Sequence, residues 1–549
     1  MTSPPSRYPK SQRPLLSLKD YDISPENGFL PSEPPLRRLE NPYFEPWELI
    51  LDNLSQHISD CSIRDKIHEV LPEAIAVPWV AVAEYLELNP VLSCASVVLW
   101  NWQSLVDFEN DNDAMFLDNL STLHTFTGTI DESWFFLITV AIEAEGGNAI
   151  RAILRGMKAA ENDDIKAMVD ELSMIADIIE RINRIFERMY EKCDPNAFYW
   201  HIRSYFAGGE NMEKAGLPYG ILYKGVDDEG IEDEEEGSDE YKARFRRYAG
   251  GSAGQSSIIQ VLDIGLGVTH YPTKSDVAED RAGTKSSTQP SNQQKRIIPP
   301  TPPSEATSHQ PPSVLLSPQT PANSYLMRMR EYMPGPHRRF LEDLGASCKI
   351  REYVSKVLEN NLNINMDGSY IYGETSTNSR YSQEDCRDLH MVYNGCVDLL
   401  KEFRNHHIQM VTRYIIIPAR RGPPANAKTH SLATATATNA PRVKHPQLSI
   451  NKNITSTVSG MLGTPPPTPP SYGFSREPSL SPRLGSGSYG TATSNSDVLK
   501  SPISPSLKPA KYAKLARKVE DDDIVRGTGG TDAISFLKQS RDETASTRI

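Results

Sequence analysis

The sequence lacks the features that mark secreted and membrane-embedded proteins. Its six cysteines form no Cys-x-x-Cys pair, which argues against a disulfide scaffold or a zinc ribbon and fits a reducing compartment. The longest apolar runs, such as residues 135–142, are shorter than the ~18–20 residues of a membrane helix. The first residues, MTSPPSRYPKSQRPLL, contain no apolar signal-peptide segment. We therefore expect a cytoplasmic protein that does not enter a membrane.

The chain of 549 residues is also poor in apolar side chains and in positive charge. Hydrophobic residues make up 38%, and 58 basic against 71 acidic residues give a net charge of -13. An acidic chain is a poor candidate for nucleic-acid binding, which depends on neutralising phosphates. The 42 prolines cluster with Ser, Thr and Gln in tracts that cannot bury enough apolar surface to fold. These tracts predict a disordered tail at 1–14, a disordered insertion at 269–321 and a disordered linker at 421–523.

Serine and threonine residues precede proline at several points in the two long tracts. They are Thr301, Ser317, Thr320, Thr464, Thr468, Ser481, Ser501 and Ser504. Such pairs suit proline-directed kinases as partners, although Pro-rich sequence also produces them by chance.

Outside the tracts the hydrophobic pattern is mainly that of α-helices. In residues 165–179 the apolar positions recur at spacings of three and four, namely Ile165, Met168, Leu172, Ile175 and Ile179. This repeat forms one stripe of a helix. Alternating strand patterns and Asn-Gly hairpins are nearly absent. The ordered part of the chain is therefore predicted to be all-α.

The helical segment around residues 392–417 contains the first candidate for chemistry. An apolar stripe runs through Cys396, Leu400, Phe403, His407, Val411 and Tyr414. His406 is turned about 100° away, toward a more polar side. A neutral imidazole on a buried stripe is either a core histidine bonded to the backbone or an axial ligand of a metal or haem iron. The spacing alone leaves both roles open.

Two other charged residues and two glycine-rich segments are further candidates. Asp263 lies in an apolar helix and needs either a partner or an exposed edge. Arg203 lies among the aromatics of AFYWHIRSYF and suits either a planar ligand carboxylate or a structural ion pair. The segment 249–257 could hold an anion on backbone N–H groups, but it lacks the Gly-Lys-Ser/Thr of a Walker loop. The segment 526–532 is a second glycine-rich loop before a helix.

Several separated segments, in order, give the sequence a family resemblance. They are AIAVPW, WNW, FFLIT, AFYWHIRSYF, YAGGSAGQSSIIQVLDIGLG, MRMREYMPGPHRRFL, FRNHHIQMVTRYIIIPA and GTGGTDAISFLKQSR. The chain resembles an indoleamine 2,3-dioxygenase of fungal type. The resemblance covers most of 15–268, 322–420 and 524–541 and none of the low-complexity tracts.

The resemblance implies a two-domain helical haem protein. The small domain would span 15–110, the large haem-binding domain 111–268 and 322–420, and a C-terminal loop and helix of the large domain 524–541. The implied cofactor is haem b with its iron. The implied reaction inserts O2 across the indole C2–C3 bond of L-tryptophan or a related indoleamine. It yields N-formylkynurenine, the first step of the kynurenine route, in a protein expected to be a monomer.

The resemblance also assigns roles to individual residues. His407 matches the iron ligand, and Arg404 and Asp263 match a charged pair on the same side of the haem. Arg203 matches the residue that binds the substrate carboxylate. The remaining positions match the substrate pocket and the loops beside it: Phe135, Thr139, Phe198, Tyr199, Ser252, Ala253, Gly254 and Thr528.

Two departures from the family pattern keep other functions open. Cys94 replaces a common tyrosine at the pocket floor, which makes the indole pocket less crowded. The stretch between Ile67 and Leu71 is shorter than in the family. Both departures favour an alternative in which the chain binds haem but oxidises indoles weakly, as a sensor or pseudoenzyme. A third reading is an interaction scaffold that acts through the Pro-rich tracts.

Overall fold

The structure is a computed structural model, and it describes residues 16–39, 41–59, 70–106, 117–210, 212, 217–231, 234–273, 324–364, 370–375, 380–423, 528 and 532–549. The predicted tail, most of the predicted insertion and linker, and the Ser-Pro and Thr-Pro pairs lie outside these residues. So do residues 68 and 69 of the stretch between Ile67 and Leu71. The chain divides into two compact units, and every described residue belongs to the unit formed by 1–428 and 509–549. The boundary expected between residues 110 and 111 stays a prediction.

The described residues are mainly α-helical, which confirms the predicted fold class. The helices are α1 (Glu45–Asp52), α2 (Leu54–Ser59), α3 (Glu73–Tyr85), α4 (Ile130–Asn162), α5 (Ile165–Glu187), α6 (Met189–Lys192), α7 (Pro195–Ala197), α8 (Asp239–Ala243), α9 (Ser257–Leu266), α10 (Tyr325–Met329), α11 (Gly335–Ser347), α12 (Ile350–Asn361), α13 (Gln383–Val411), α14 (Ile417–Arg421) and α15 (Ala533–Ala545). None of the helices within the described ranges is both long and apolar enough to cross a membrane.

Short strands, turns of 3-10 helix and turns of π-helix complete the described elements. The strands pair as β1 (Val70–Leu71) parallel to β4 (Leu222–Tyr223), β2 (Gln103–Ser104) antiparallel to β3 (Leu120–Ser121), and β5 (Leu362–Ile364) antiparallel to β6 (Tyr370–Thr375). Turns of 3-10 helix span Leu18–Tyr21, Pro42–Phe44, Leu117–Asn119, Arg203–Phe206, Ala253–Gln255 and Arg330–Tyr332. Turns of π-helix span Ala95–Leu99, Phe198–Ile202 and Thr412–Ile416.

The long helices α4, α5 and α13 pack together as the centre of the core. The Thr129 hydroxyl caps α4 by accepting from the Glu132 N–H, and Asp164 caps α5 by accepting from the Ala167 N–H. Between them Asp163 adopts a left-handed conformation with φ 56°, which closes a tight helical hairpin. All five stripe residues predicted in α5 are buried. Burial of such a stripe, rather than intrinsic propensity, supplies most of the helical stability.

Small residues bring α9 close to α4. A Cβ on Gly146 would lie 2.0 Å from Cγ1 of Ile258, and one on Gly265 would lie 2.5 Å from Cδ1 of Ile153. Only glycine fits at such distances. This close packing fixes α9, which carries Asp263, against the longest helix of the core.

The ordered chain continues past two of the predicted boundaries. Residues 269–273 were predicted as the start of a disordered insertion, yet His270 and Thr273 are only 3% and 4% exposed. The predicted last helix ended at 541, whereas α15 runs to Ala545. In both places buried polar contacts with distant elements hold the chain, and such contacts leave no periodic signal in the sequence.

Candidate active site

A cavity of about 240 Å³ opens among α4, α13, α15 and the loops between them. Apolar and aromatic side chains form most of its wall: Val97, Val98, Phe135, Phe136, Phe186, Met189, Phe198, Phe206, Met410, Val411, Ile415, Phe536 and Leu537. The polar or ionisable side chains in the wall are Cys94, Thr139, Arg203, Ser252, Tyr325, His407, Tyr414 and Thr528. A mostly apolar cavity with a few converging polar groups is the usual form of a small-molecule site.

Each of the three π-helical turns described in the chain supplies residues to this wall. Val97 and Val98 come from the first turn, Phe198 from the second, and Tyr414 and Ile415 from the third. A π turn inserts an extra residue into a helix and is frequent at functional sites. The cavity is thus bordered by wider helical turns that redirect side chains inward.

His407 contributes its imidazole to the cavity wall from α13. Its ring lies edge-on to the ring of Phe186, with 6.0 Å between the ring centroids. Burial and the positive charge of Arg404 lower the pKa of His407 to about 4. The ring is therefore neutral at pH 7 and has a nitrogen lone pair to offer a metal. The adjacent His406 instead lies 3.5 Å from Glu187.

One turn before His407, Arg404 forms a buried ion pair with Asp263 of α9, with 2.5 Å between Nη2 and Oδ1. Burial by itself raises the pKa of Asp263, but attraction to Arg404 and His270 and their hydrogen bonds outweigh it and hold that pKa below its usual range. Arg404 Nε donates to Ser540 Oγ at 2.8 Å. The pair predicted from the sequence is therefore part of a larger buried cluster that joins α9, α13 and α15.

Arg203 lies in the cavity wall at the start of the 3-10 turn that follows the second π turn. It is 6% exposed, and its guanidinium carbon lies 5.5 Å from the centroid of the Tyr199 ring. Burial lowers the pKa of Arg203, yet a guanidinium remains charged in proteins. A buried cation in an apolar wall is suited to an anionic group of a ligand, and a carboxylate matches its planar geometry.

Of the two aromatic pocket positions predicted next to Arg203, the structure places one at the cavity. Phe198 lies in the wall, 4.7 Å from Phe135 between ring centroids. Tyr199 is buried outside the wall, where it packs against Trp200 and Ala419. Consecutive helical residues point about 100° apart, and of these two only Phe198 reaches the cavity. Tyr199 therefore contacts Arg203 rather than the cavity.

Thr139 and the loop at 251–254 line another part of the wall. The Thr139 hydroxyl donates to the Phe135 carbonyl at 3.2 Å, so its methyl group is the part free to face a ligand. The Ser252 hydroxyl pairs with the Tyr325 hydroxyl at 2.7 Å. Thr528 is held on this loop, because the Gly250 N–H donates to its carbonyl and its hydroxyl donates to the Gly251 carbonyl. The predicted residues Ala253 and Gly254 also line the cavity.

Buried polar residues that the sequence pattern did not indicate lie behind the cavity wall, in contact with the Cys94 backbone and with Ser256. Glu143 of α4 is fully buried and accepts from the Ser256 hydroxyl at 2.5 Å and from the Ile258 N–H. Burial raises the pKa of Glu143 to about 7. Gln255 accepts from the N–H of Cys94 at 2.9 Å. Two acidic residues, Glu143 and Glu145, precede the glycines of α4, and the sequence does not show which of them is buried.

The C-terminal helix α15 also contributes to the cavity wall, which the sequence pattern did not predict. Phe536 and Leu537 of α15 lie in the cavity wall. The sequence predicts this helix, and the apolar run in AISFLK signals a buried face. The spacing of its apolar residues does not show that this face covers the cavity.

Comparison with known protein sequences identifies the family of the chain. The indoleamine 2,3-dioxygenase family model matches residues 17–70 and 64–465, and the two matches meet at the stretch that the sequence suggests is shortened. A similar protein is an indoleamine 2,3-dioxygenase of Saccharomyces cerevisiae, 28% identical, with 100% of this chain and 97% of the relative aligned.

Two further relatives cover most of the chain. An indoleamine 2,3-dioxygenase 1 of Rattus norvegicus is 29% identical over 75% of this chain and 88% of its own length. A 6-hydroxytryptophan 2,3-dioxygenase of Fusarium equiseti is 27% identical over 74% of this chain and 86% of its own. The family model alone spans well over half of the sequence. The chain therefore belongs to the indoleamine 2,3-dioxygenase family of oxidoreductases.

Proposed function

We propose that the chain is a haem-dependent dioxygenase that converts L-tryptophan to N-formylkynurenine, the first step of the kynurenine route. The carrying observation is that a neutral imidazole, His407, and a buried guanidinium, Arg203, lie in the wall of one apolar cavity. The first suits an iron and the second suits an amino-acid carboxylate. Membership of the family supports the same reaction.

The residues present fit a haem. A haem needs an axial donor, an apolar surround for its ring and cationic donors for its carboxylates. His407 and the aromatic wall meet the first two needs. The buried Nη1 of Arg404 has no hydrogen-bond partner among the residues that the structure describes, so one cationic donor remains for an anion. When bound, haem supplies the iron that activates O2 for insertion of both atoms across the indole C2–C3 bond.

Arg203 would orient the substrate. Two parallel hydrogen bonds from its guanidinium to the tryptophan carboxylate fix both position and rotation of the amino acid. The aromatic rings of Phe135 and Phe198 then offer an apolar surface to the indole. Because the wall is mostly apolar, it excludes water around the reacting ring and strengthens the Arg203 contact.

The protein side chains in the wall are poorly placed to exchange protons. Burial raises the pKa of the Cys94 thiol and of the Tyr414 hydroxyl, which donates to the Cys193 carbonyl at 2.6 Å. The Thr139 hydroxyl is already committed to a backbone carbonyl. These side chains would therefore hold no proton for the reaction, and the chain's contribution would be binding, orientation and exclusion of water.

The decisive experiment measures product from haem-supplemented, reduced protein given L-tryptophan under labelled O2. N-formylkynurenine with two labelled oxygens, detected by mass spectrometry, is the expected result. Haem-loaded protein that forms no labelled product would overturn the proposal and favour the haem-binding sensor.

Neighbouring histidines provide the matched control for the iron ligand. His407→Ala is expected to abolish the Soret band of bound haem, because it removes the imidazole that would hold the iron. His406→Ala is expected to retain the band, since His406 faces Glu187 rather than the cavity. Retention of the band in His407→Ala would rule out His407 as the ligand.

A further inference from the structure

His270 connects the C-terminal helix to the Asp263–Arg404 ion pair, and the mechanism above does not use it. It is 3% exposed and lies just after α9. Its Nε2 is 3.0 Å from Asp263 Oδ2, and its Nδ1 is 2.6 Å from Glu543 Oε2. One side chain therefore links α9 to α15 at the cluster that also contains Arg404.

The two carboxylates that face the ring favour its doubly protonated form, and they outweigh the opposing effects of burial and of Arg404, whose Nη2 lies 3.4 Å from Nε2. An imidazole carries N–H groups on both nitrogens only when it is charged. Because each nitrogen of His270 faces a carboxylate oxygen, only the imidazolium donates to both Asp263 and Glu543. With Arg404, the cluster then holds two positive and two negative charges and is neutral overall, which avoids an uncompensated buried charge.

Glu543 is itself held in place by several contacts. Its Oε1 accepts from the Tyr271 N–H at 3.0 Å and from Gln539 Nε2 at 2.7 Å. Gln539 also donates to the Tyr271 carbonyl at 2.8 Å. The segment that follows α9 and one face of α15 thus form a continuous polar contact centred on His270.

The rest of α15 and the chain end lie antiparallel along α13. The paired residues are Leu537 with Val411, Ser540 with Arg404, Arg548 with Asp398, and Ile549 with Asn394. Phe536 and Leu537 belong to the same helix and form part of the cavity wall. Any loosening of the polar contact at Glu543 would therefore move the wall as well.

We propose that His270 is a positioning residue that holds α15 on the Asp263–Arg404 pair and so keeps Phe536 and Leu537 in the cavity wall. The inference rests on the proposed function in one respect, namely that this wall contacts the indole substrate. The docking of α15 is a property of the chain itself.

The test compares His270→Gln with His337→Gln in the full chain. His337 is a comparably buried histidine, 4% exposed, that packs on the Phe29 ring. Hydrogen–deuterium exchange is followed in haem-free and haem-loaded protein. In His270→Gln the amides of 533–545 are expected to exchange at least tenfold faster than in wild type, with α5 unchanged. His337→Gln is expected to show no selective change in α15.

Kinetics and coupling give independent readouts. In His270→Gln the KM for L-tryptophan is expected to rise severalfold while the Soret band stays in place. Glu543→Gln is expected to accelerate amide exchange selectively in residues 533–545, as His270→Gln does. The double variant is expected to exchange no faster than His270→Gln alone, because both changes remove one link.

Two outcomes would overturn the inference. One is unchanged exchange of α15 in His270→Gln, and the other is uniform acceleration across α4, α5 and α13, which a general packing role would give. If His270→Gln does not fold, Glu543→Gln decides between the same outcomes, since it keeps the size of the side chain and the Tyr271 contact. Exchange requires no turnover, so failure of the proposed function would leave this result interpretable.

Discussion

The cavity side chains Arg203 and His407 serve different needs, and single substitutions can separate them. A buried guanidinium gains most from an anionic partner, because the apolar wall weakens competing hydration. A neutral imidazole offers a lone pair instead. The two residues come from different elements, the 3-10 turn at Arg203–Phe206 and helix α13. Loss of substrate binding and loss of cofactor binding are therefore expected to occur independently.

Replacing Arg203 by alanine is expected to remove substrate binding and spare the haem. Hydrogen bonds to a charged group contribute about 1.5–3 kcal/mol, so kcat/KM for L-tryptophan should fall on the order of 100-fold while the Soret band persists. Arg413→Ala is the control, because Arg413 is exposed and stacks on the Tyr190 ring with 4.8 Å between the guanidinium and the ring centroid. Steady-state kinetics of both variants decide, and unchanged kcat/KM in Arg203→Ala would contradict the assigned role.

The buried carboxyl of Glu143 makes the stability of the folded protein depend on pH. Its pKa in the folded protein is raised to about 7 from a model-peptide value of 4.5. Because the carboxyl pKa is higher in the folded state, the unfolded chain loses this proton at a lower pH than the folded protein does. The free energy of unfolding therefore falls as pH rises from the unfolded-state pKa to the folded-state pKa. Glu143→Gln removes this penalty. The free energy of unfolding of the variant, relative to wild type, should increase between pH 4.5 and 7 by up to roughly 3 kcal/mol and should stay at that difference above pH 7.

Urea unfolding at several pH values measures the gap. Glu161→Gln, on the same helix but at an exposed position with a side chain 58% accessible, serves as the control and should show no such trend. A gap between wild type and Glu143→Gln that stays constant from pH 4.5 to 8 would contradict the buried-carboxyl account.

Among the elements, α13 shows how far the sequence pattern predicts the site. Its 3.6-residue repeat places His407 and Val411 on the buried side, and both line the cavity. The repeat also separates His407 from His406. Periodicity did not supply the pocket positions next to Arg203, which came from the family resemblance. The turn at Phe198–Ile202 leaves Phe198 in the wall and Tyr199 outside it, and no spacing in the sequence announces that turn.

The loop that lines the cavity depends on one close backbone approach. A Cβ on Gly250 would lie 1.9 Å from the Phe206 carbonyl oxygen and 2.6 Å from the Gly208 nitrogen. Backbone atoms at that distance cannot rotate away, so Gly250→Ala must move the loop that carries Ser252 and contacts Thr528. Overpacking of this kind costs about 1–3 kcal/mol, and the KM for L-tryptophan should rise.

Gly345→Ala is the matched control, because a Cβ there meets nothing within 4 Å and the residue lies inside α11. Alanine is favoured over glycine in a helix by about 0.5–1 kcal/mol, so this variant should melt at a slightly higher temperature. Thermal unfolding of both variants measures the contrast. Equal melting temperatures for the two variants would show that the backbone around residue 250 accommodates a Cβ without loss of stability.

Across the whole molecule, the sequence predicts local features better than long-range polar contacts. The helical class, the buried stripe of α5 and the Asp263–Arg404 pair followed from periodicity or from resemblance. The clusters around His270 and Glu143 did not, because each joins residues far apart in the chain. His270 and Glu543 are separated by 273 positions. Single-sequence patterns report on neighbours three and four residues apart, and such contacts lie outside that range.

The connection between α14 and Thr528 gives a prediction about the whole chain. Low-complexity composition predicts that the linker at 421–523 acts mainly as a tether, and the closing cost of a flexible tether grows only with the logarithm of its length. Deleting 429–508 shortens it roughly fourfold and should favour docking of α15 by about 1 kcal/mol. Amide exchange of 533–545 should then slow about fivefold to tenfold, with haem binding and turnover preserved. A Gly-Ser replacement of equal length should restore wild-type exchange, and loss of haem binding on deletion would show that the tract is more than a tether.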